Sequence, residues 1–176
     1  MDLKKEKELI KKAQKDPEVF GQIYDKYYYK ILGYILKRVS ILEIAQDITS
    51  ETFLKALKKL WQFRWRNVPF SAWLYRIANN EIASYFRKNK QKLISLEKIS
   101  GSVIACNPKE KLERHQDFLI LQQKILKLPI KYQEVIALRF FEKKQIKEIA
   151  EILGKKEGTI KSLLHRGLEK LEELVE

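Results

Sequence analysis

The chain is predicted to be all-α, two helical domains joined by a flexible linker, the C-terminal one a helix-turn-helix. Three observations predict this. Apolar residues recur every three or four positions through most of the 176 residues, and no stretch shows convincing strand alternation. Only six glycines and four prolines interrupt the pattern, which points to helices. The periodicity lapses from Lys90 to about Pro108, where Ser, Gly and Pro gather, so residues 1–90 and 109–176 read as domains and 91–108 as the linker.

The first element is a short helix from Leu3 to Gln14. Asp16-Pro17 then supplies an N-cap followed by proline at the first helical position. The long helix it starts carries Val19, Phe20, Ile23, Tyr24, Tyr27, Ile31, Tyr34, Ile35 and Val39 on one stripe, a pattern that fits core better than a ligand site. A third helix runs from Leu42 to Trp61, with Ile44, Ile48, Phe53, Leu54, Leu57 and Leu60 as its apolar side. Asp47 and Glu51, four apart, share its polar stripe. A fourth, from Pro69 to Lys90, turns Trp73, Leu74, Ile77, Ala78, Ile82 and Phe86 inward and leaves Arg76, Asn79, Asn80, Ala83, Ser84 and Arg87 outside. Beyond the linker, helical patterns resume from Lys109 to Leu128 and, after Pro129, from Ile130 to Phe141.

The last stretch, QIKEIAEILGKKEGTIKSLLHRGLEKL (145–171), has the spacing of a helix, a tight turn and a second helix. Ile146, Ile149, Ala150 and Leu153 form one apolar face, and Gly154 stands where a residue tolerating positive φ must end the helix. Ala150 is small enough for a helix crossing. Thr159, after Gly158, is expected to cap the second helix, whose inner side is Ile160, Leu164, Gly167, Leu168 and Leu171. Its free side then holds Lys161, Ser162, His165 and Arg166, groups that can meet phosphates or base edges in a major groove.

The net charge of +13, with a pI near 9.7, favours a polyanionic partner. The excess is uneven: residues 1–90 carry +9, 91–128 carry +3 and 129–176 only +1. Long-range attraction to nucleic acid is therefore expected from the N-terminal half. Cys106 is the sole cysteine, so no intrachain disulfide forms, and two scattered histidines offer no metal cluster. In a linker that lone cysteine is more often incidental than a redox switch. No cofactor is expected. No apolar run reaches signal-peptide or membrane-spanning length, so the expectation is a soluble, cytoplasmic protein without a membrane partner. Neither a glycine-rich phosphate loop, paired catalytic carboxylates nor a nucleophile with its base is present, and the chain is not expected to be an enzyme.

Between the third and fourth helices lies WQFRWRNVPF (61–70), aromatic and basic. Rings beside arginines suit an unpaired strand, because each stacked base is worth roughly 1–3 kcal/mol. Trp61 and Trp73 fit the core better than Trp65, which sits between Arg64 and Arg66. The following helix adds an Arg, Asn and Ser face suited to phosphates and base edges.

These motifs carry a resemblance. AQDITSETFLKAL with FRWRNVPFSAWLYRIANNEIASYFRK resembles the second conserved region of bacterial RNA polymerase sigma factors, and residues 128–171 resemble the fourth. With both regions and only a linker between, the chain is similar to the extracytoplasmic-function group. The match covers roughly residues 17–90 and 110–174. It implies a transcription initiation factor that binds core RNA polymerase, recognises two elements of promoter DNA and traps melted bases. Asp47, Glu51 and Phe53 match the family's motif for docking on the basic clamp helices of the polymerase. The loop from Phe63 to Phe70, with Arg64, Trp65, Arg66 and Asn67, matches the segment that captures a flipped base of the minus-ten element. Asn80, with Arg76, Arg87 and Lys88, matches the adjoining reading helix. Thr159, Lys161, Ser162, His165 and Arg166 match the helix that enters the major groove at the minus-thirty-five element. Members of this group are often held by an anti-sigma factor.

Departures from the family pattern bear on which promoter is read. Leu163 stands where arginine is usual, and it either packs inward or touches a thymine methyl. Lys155 replaces an apolar turn residue, Ser84 a common aspartate, and Trp65, Val68 and Pro69 replace small residues. The alternative is a helix-turn-helix repressor or activator acting as a dimer on a palindrome without polymerase docking. A nucleic-acid-processing enzyme would need a metal or nucleophile cluster that the sequence lacks, and a purely structural module leaves the charge asymmetry unexplained.

Overall fold

The computed structural model describes residues 3–65, 69–93 and 112–174. Among them are eight α-helices and no strand: α1 (Leu3–Lys15), α2 (Phe20–Val39), α3 (Leu42–Lys59), α4 (Phe70–Leu93), α5 (Leu112–Lys127), α6 (Ile130–Ile136), α7 (Ile146–Leu153) and α8 (Glu157–Glu173). Helices α2, α3 and α4 pack on one another with α1 against α2, while α6, α7 and α8 form a second group. α4 continues to Leu93, past the expected end at Lys90. Cys106 and most of the predicted linker lie outside the described residues.

The predicted start of α2 is built as a 3-10 turn, Pro17–Val19, that runs straight into the helix. The Asp16 carboxylate accepts the Glu18 N–H at 3.0 Å, satisfying a donor the first turn leaves orphaned. α2 ends at Ser40, whose φ of 61° lets its N–H return to the Leu36 carbonyl at 2.8 Å.

Ile23, Ile31 and Ile35 of α2 meet Phe53 of α3 and Phe70, Leu74, Tyr75, Ala78 and Ile82 of α4 in the core, each at most 3% exposed. Burying such an aliphatic or aromatic side chain is worth about 1.5–3 kcal/mol. The inward side of α3, however, is not its leucine stripe. Ala45, Thr49, Thr52 and Ala56 are fully buried, whereas Leu54 and Leu57 remain 44% and 38% exposed. Small residues at i, i+4, i+7 and i+11 let the neighbouring helices approach closely, and each threonine hydroxyl donates back to a carbonyl, Thr49 to Ala45 (2.6 Å) and Thr52 to Ile48 (2.7 Å). Tyr24, assigned to the core stripe of α2, is also partly outside.

Asn79, expected on the free face of α4, is buried instead. Its amide oxygen accepts from the Tyr34 hydroxyl (2.8 Å) and from Arg38 Nη1 (3.2 Å), and its amide nitrogen donates to the Tyr75 carbonyl (3.0 Å). Arg38 is itself fully buried, a position arginine rarely takes without partners. Asn79→Ala is expected to cost about 2–3 kcal/mol, because it removes the acceptor of the buried Tyr34 hydroxyl and one of the two acceptors of Arg38 Nη1, which keeps the Tyr34 oxygen at 3.1 Å. Urea unfolding of the variant measures this directly.

In the second group α6 passes into a π-helical turn, Ala137–Phe141, before α7. The N–H of Gln145 donates to Glu148 Oε2 at 3.0 Å at the start of α7, and Gly154 ends it at φ 63° as expected. α8 begins two residues earlier than its expected cap. Lys156 is the extended flanking residue and accepts the Ile160 N–H (3.1 Å), so Thr159 stands inside the first turn. Gly167 lets α8 close on α6: a Cβ there would lie 3.2 Å from Ile136 Cδ1 and 3.3 Å from Tyr132 Cβ.

The two groups touch where α7 rests on α4. Nearby, the Glu142 carboxylate accepts from the Tyr75 hydroxyl and from Lys37 Nζ (3.4 Å). Gln122 of α5 donates to the Lys37 carbonyl (3.1 Å) and the Ser40 hydroxyl (3.3 Å).

Candidate functional site

α3 places Asp47 and Glu51 on solvent, and Leu54 falls on the same face one turn on. The third residue of that proposed docking set is different. Phe53 is 3% exposed, with its ring edge-on to Tyr24 (4.9 Å) and Phe20 (6.4 Å). It therefore anchors α3 to α2 and leaves the outward surface to the two carboxylates and Leu54. A row of carboxylates with an exposed leucine suits a basic, partly apolar partner surface.

After α3 a 3-10 turn, Leu60–Gln62, turns the chain toward the aromatic loop. Leu60 is buried and holds the turn down, and the Gln14 amide of α1 donates to the carbonyls of Leu60 and Phe63, each at 2.9 Å. Phe63 stacks among Phe70 (5.0 Å), Trp73 (5.2 Å) and Trp65 (6.2 Å). The tryptophans thus exchange their expected roles. Trp61 is 65% exposed, because the 3-10 turn rotates it off the buried side of α3, while Trp65 is half-buried with its ring perpendicular to Phe63. Arg64 is exposed and donates to the Trp61 (2.9 Å) and Phe63 (3.3 Å) carbonyls. Arg66 and Asn67 lie outside the described residues.

α4 leaves Arg76, Asn80, Arg87 and Lys88 exposed. Gln62, Phe63, Arg64, Ala72, Trp73 and Arg76 line a recess of about 200 Å³ that Glu151 of α7 also borders. The Arg76 guanidinium reaches the end of α7, where a Cβ on Gly154 would stand 3.2 Å from Nη2. The structure thus brings Arg64 and Arg76 to one rim, with a carboxylate from the second group beside them.

On α8, Thr159, Lys161, Ser162, His165 and Arg166 are all exposed. The Ser162 hydroxyl donates to the Gly158 carbonyl (3.1 Å), and His165 Nε2 lies 3.4 Å from the Glu169 carboxylate. Leu163 packs partly against the core, and Leu168, expected inside, is 40% exposed.

Several titrating groups are shifted by these surroundings. Burial pushes the Glu6 carboxyl up, but hydrogen bonds from Lys26 and Tyr27 outweigh it and hold the group below the ordinary carboxylate range. Burial, then the Glu142 carboxylate, raises the Tyr75 hydroxyl, and burial then Glu6 raise Tyr27. Burial lifts Glu134 against the opposing pull of Arg38 and Lys155. Among the described residues no cluster of His, Cys, Asp and Glu could hold a metal, and no helix is long and apolar enough to cross a membrane.

Two features have a misleading sequence signal or none. Leu54 belongs by type to the apolar side of α3 but stands outward, because Ala45, Thr49, Thr52 and Ala56 form the buried side. The role of Gln14 in fixing the loop has no sequence signal, since its acceptors are main-chain carbonyls 46 and 49 residues away.

Residues 23–92 match the family description "Sigma-70 region 2" and residues 118–171 match "Sigma-70, region 4". The chain is 34% identical over 181 residues to the ECF RNA polymerase sigma factor SigW of Bacillus subtilis, covering 97% of this chain and 95% of SigW. It is 32% identical over 171 residues to the ECF RNA polymerase sigma factor BldN of Streptomyces coelicolor, covering 96% of this chain but 65% of that protein. The fold is similar to that of CnrH, solved in complex with the cytosolic domain of CnrY, with a TM-score of 0.71, 20% identity and coverage of 97% and 96% of the two chains. A TM-score of 0.67, at 24% identity and coverage of 89% of this chain and 96% of the other, relates it to the sigma factor RpoE of Bartonella quintana, solved with the anti-sigma factor NepR. With both conserved regions present in order and relatives of nearly equal length, the chain belongs to the extracytoplasmic-function group of the sigma-70 family of RNA polymerase sigma factors.

Proposed function

We propose that the protein docks on core RNA polymerase through the exposed face of α3, reads two promoter elements, and traps melted bases at the aromatic loop. The observation that carries this is the order of surfaces along one continuous stretch. Exposed Asp47, Glu51 and Leu54 lead directly into exposed Trp61 and Arg64 and then the exposed polar face of α4. Residues 1–90 would supply docking and minus-ten contacts, and residues 109–176 the minus-thirty-five contacts through Thr159, Lys161, Ser162, His165 and Arg166. Arg66 and Asn67 belong to the base trap with Trp65, and Arg76, Asn80, Arg87 and Lys88 to the reading helix. The protein makes and breaks no bond. Unstacking costs a few kcal/mol, and stacking of the extruded base on the loop offsets it. The action is cytoplasmic, where polymerase and promoter meet, and an anti-sigma partner of the kind solved with the structural neighbours would regulate it.

One geometric consequence follows. α7 rests on α4 and α8 on α7, so about 20 Å separates the axes of the two reading helices at packing distances of about 10 Å each. Elements named minus-ten and minus-thirty-five lie about 25 base pairs apart, about 85 Å along the duplex at 3.4 Å per pair. On the promoter α7 must therefore leave α4, taking the Gly154 end of α7 away from the Arg76 guanidinium. Dyes at Lys30 and Glu172 should separate by tens of ångströms when polymerase and promoter are added. Co-elution of the chain with core polymerase tests the docking itself, and no co-elution would sink the proposal.

A further inference from the structure

α1 lies outside the residues that match either family region, which begin at position 23. Its inner side is fully used. Ile10 and Ala13 are buried, and Glu6 is buried with its carboxylate on Lys26 Nζ (2.8 Å) and the Tyr27 hydroxyl. With that carboxylate turned inward, the charges left on solvent are six lysines, Lys4, Lys5, Lys7, Lys11, Lys12 and Lys15, against one glutamate, Glu8. Because the apolar residues already face the protein, α1 has no apolar side to lay on a membrane. What remains is a surface recognisable by charge alone.

Its position says which polyanion. Lys7, Lys11 and Lys15 stand at i, i+4 and i+8 and form one row on the flank of α1 that carries Gln14. That glutamine holds the Leu60 and Phe63 carbonyls, immediately before Arg64 and Trp65. The row, about 12 Å long at 1.5 Å per residue, thus runs beside the entrance to the aromatic loop. Lys58 and Lys59, exposed at the end of α3, adjoin the same turn.

We propose that the Lys7, Lys11 and Lys15 row binds the sugar-phosphate backbone of the unpaired DNA strand whose bases enter the aromatic loop. This rests on the assignment of that loop as a base trap. Lysines serve here as point charges that neutralise phosphates without reading sequence, while the rings stack on bases. Gln14 is a positioning residue that fixes the distance between the two.

The test uses the full chain and a single-stranded oligothymidylate of roughly 20 nucleotides, long enough to cover loop and helix, with binding followed by anisotropy across a salt series. Replacing Lys7, Lys11 and Lys15 by glutamine should flatten the slope of log affinity against log salt by about 2, from roughly 0.7 per lost single-strand contact. The K7R/K11R/K15R variant should keep the slope, which separates lost charge from a lost fold. Trp65→Ala should weaken binding about tenfold at fixed salt and leave the slope unchanged, since stacking releases no counterions. An unchanged slope in the glutamine variant overturns the proposal. So does an equal flattening on a blunt duplex of the same length, which would make the row a general polyanion surface. If Trp65→Ala has no effect while the glutamine variant flattens the slope, the base-trap assignment fails and the phosphate row stands.

Discussion

Replacing Asp47 and Glu51 together by lysine is expected to abolish binding to core polymerase and leave the fold intact. Both carboxylates are exposed and neither belongs to the Lys–Glu ion pairs found among the described residues, which join Lys26 to Glu6, Lys37 to Glu142, Lys55 to Glu81 and Lys144 to Glu148. Surface substitutions of this kind change stability by about 0.5 kcal/mol or less. Against a basic partner surface the same change turns two attractions into two repulsions, and like-charge juxtaposition costs several kcal/mol. At about 1.4 kcal/mol per factor of ten, affinity should fall by at least about 100-fold. Leu54→Ala should weaken binding less, since it removes apolar contact without adding repulsion. Circular dichroism and a thermal melt check the fold, and titration with labelled core polymerase checks the binding. Binding within a factor of a few of wild type would remove the docking assignment from α3.

Trp65→Ala together with Asn67→Ala is expected to impair duplex opening far more than recruitment. A stacked base is worth about 1–3 kcal/mol, so losing the Trp65 ring as its stacking partner should slow formation of the open complex by about 10- to 100-fold. Because Trp65 leans on Phe63 as well as facing the loop's surroundings, its loss should also lower stability by about 1 kcal/mol, the worth of one aromatic pair. The two effects are separable: permanganate footprinting follows opening, and mobility shift of the closed complex follows recruitment. Equal loss in both assays would show that the loop is part of the general binding surface and not a base trap. Trp61→Ala is the informative companion, since Trp61 is the more exposed ring and would take over the stacking role if the 3-10 turn, and not the loop proper, meets the base.

The helices were legible in the sequence because their cues are local. Asp16-Pro17, Pro129 and Gly154 mark boundaries by backbone chemistry that acts within a few residues, and each stands at a boundary in the structure. The start of α8 was misplaced because Thr159 is a good cap in isolation. Starting the helix at Glu157 puts a carboxylate in the first turn, where the helix dipole favours it. Inward faces were less legible wherever small or polar residues formed them. The Ala45, Thr49, Thr52 and Ala56 row is invisible to a search for large apolar side chains, so Leu54 and Leu57 were turned the wrong way. Asn79 and Arg38 look like surface residues until Tyr34 is found between them, a contact joining positions 45 apart. Among the candidate site residues, exposure was readable, since Asp47, Glu51, Arg64, Arg76, Asn80, Arg87 and Lys88 all stand on solvent. Which ring stands free was not, because the 3-10 turn after α3 decides it.

The most direct test of the central claim is transcription by core RNA polymerase from a promoter library, with and without the purified protein. The account predicts new start sites that appear only with the protein and share a pair of upstream elements, one near minus ten and one near minus thirty-five. No new start sites, with a stable dimer of the protein binding a palindromic duplex in the absence of polymerase, would contradict it.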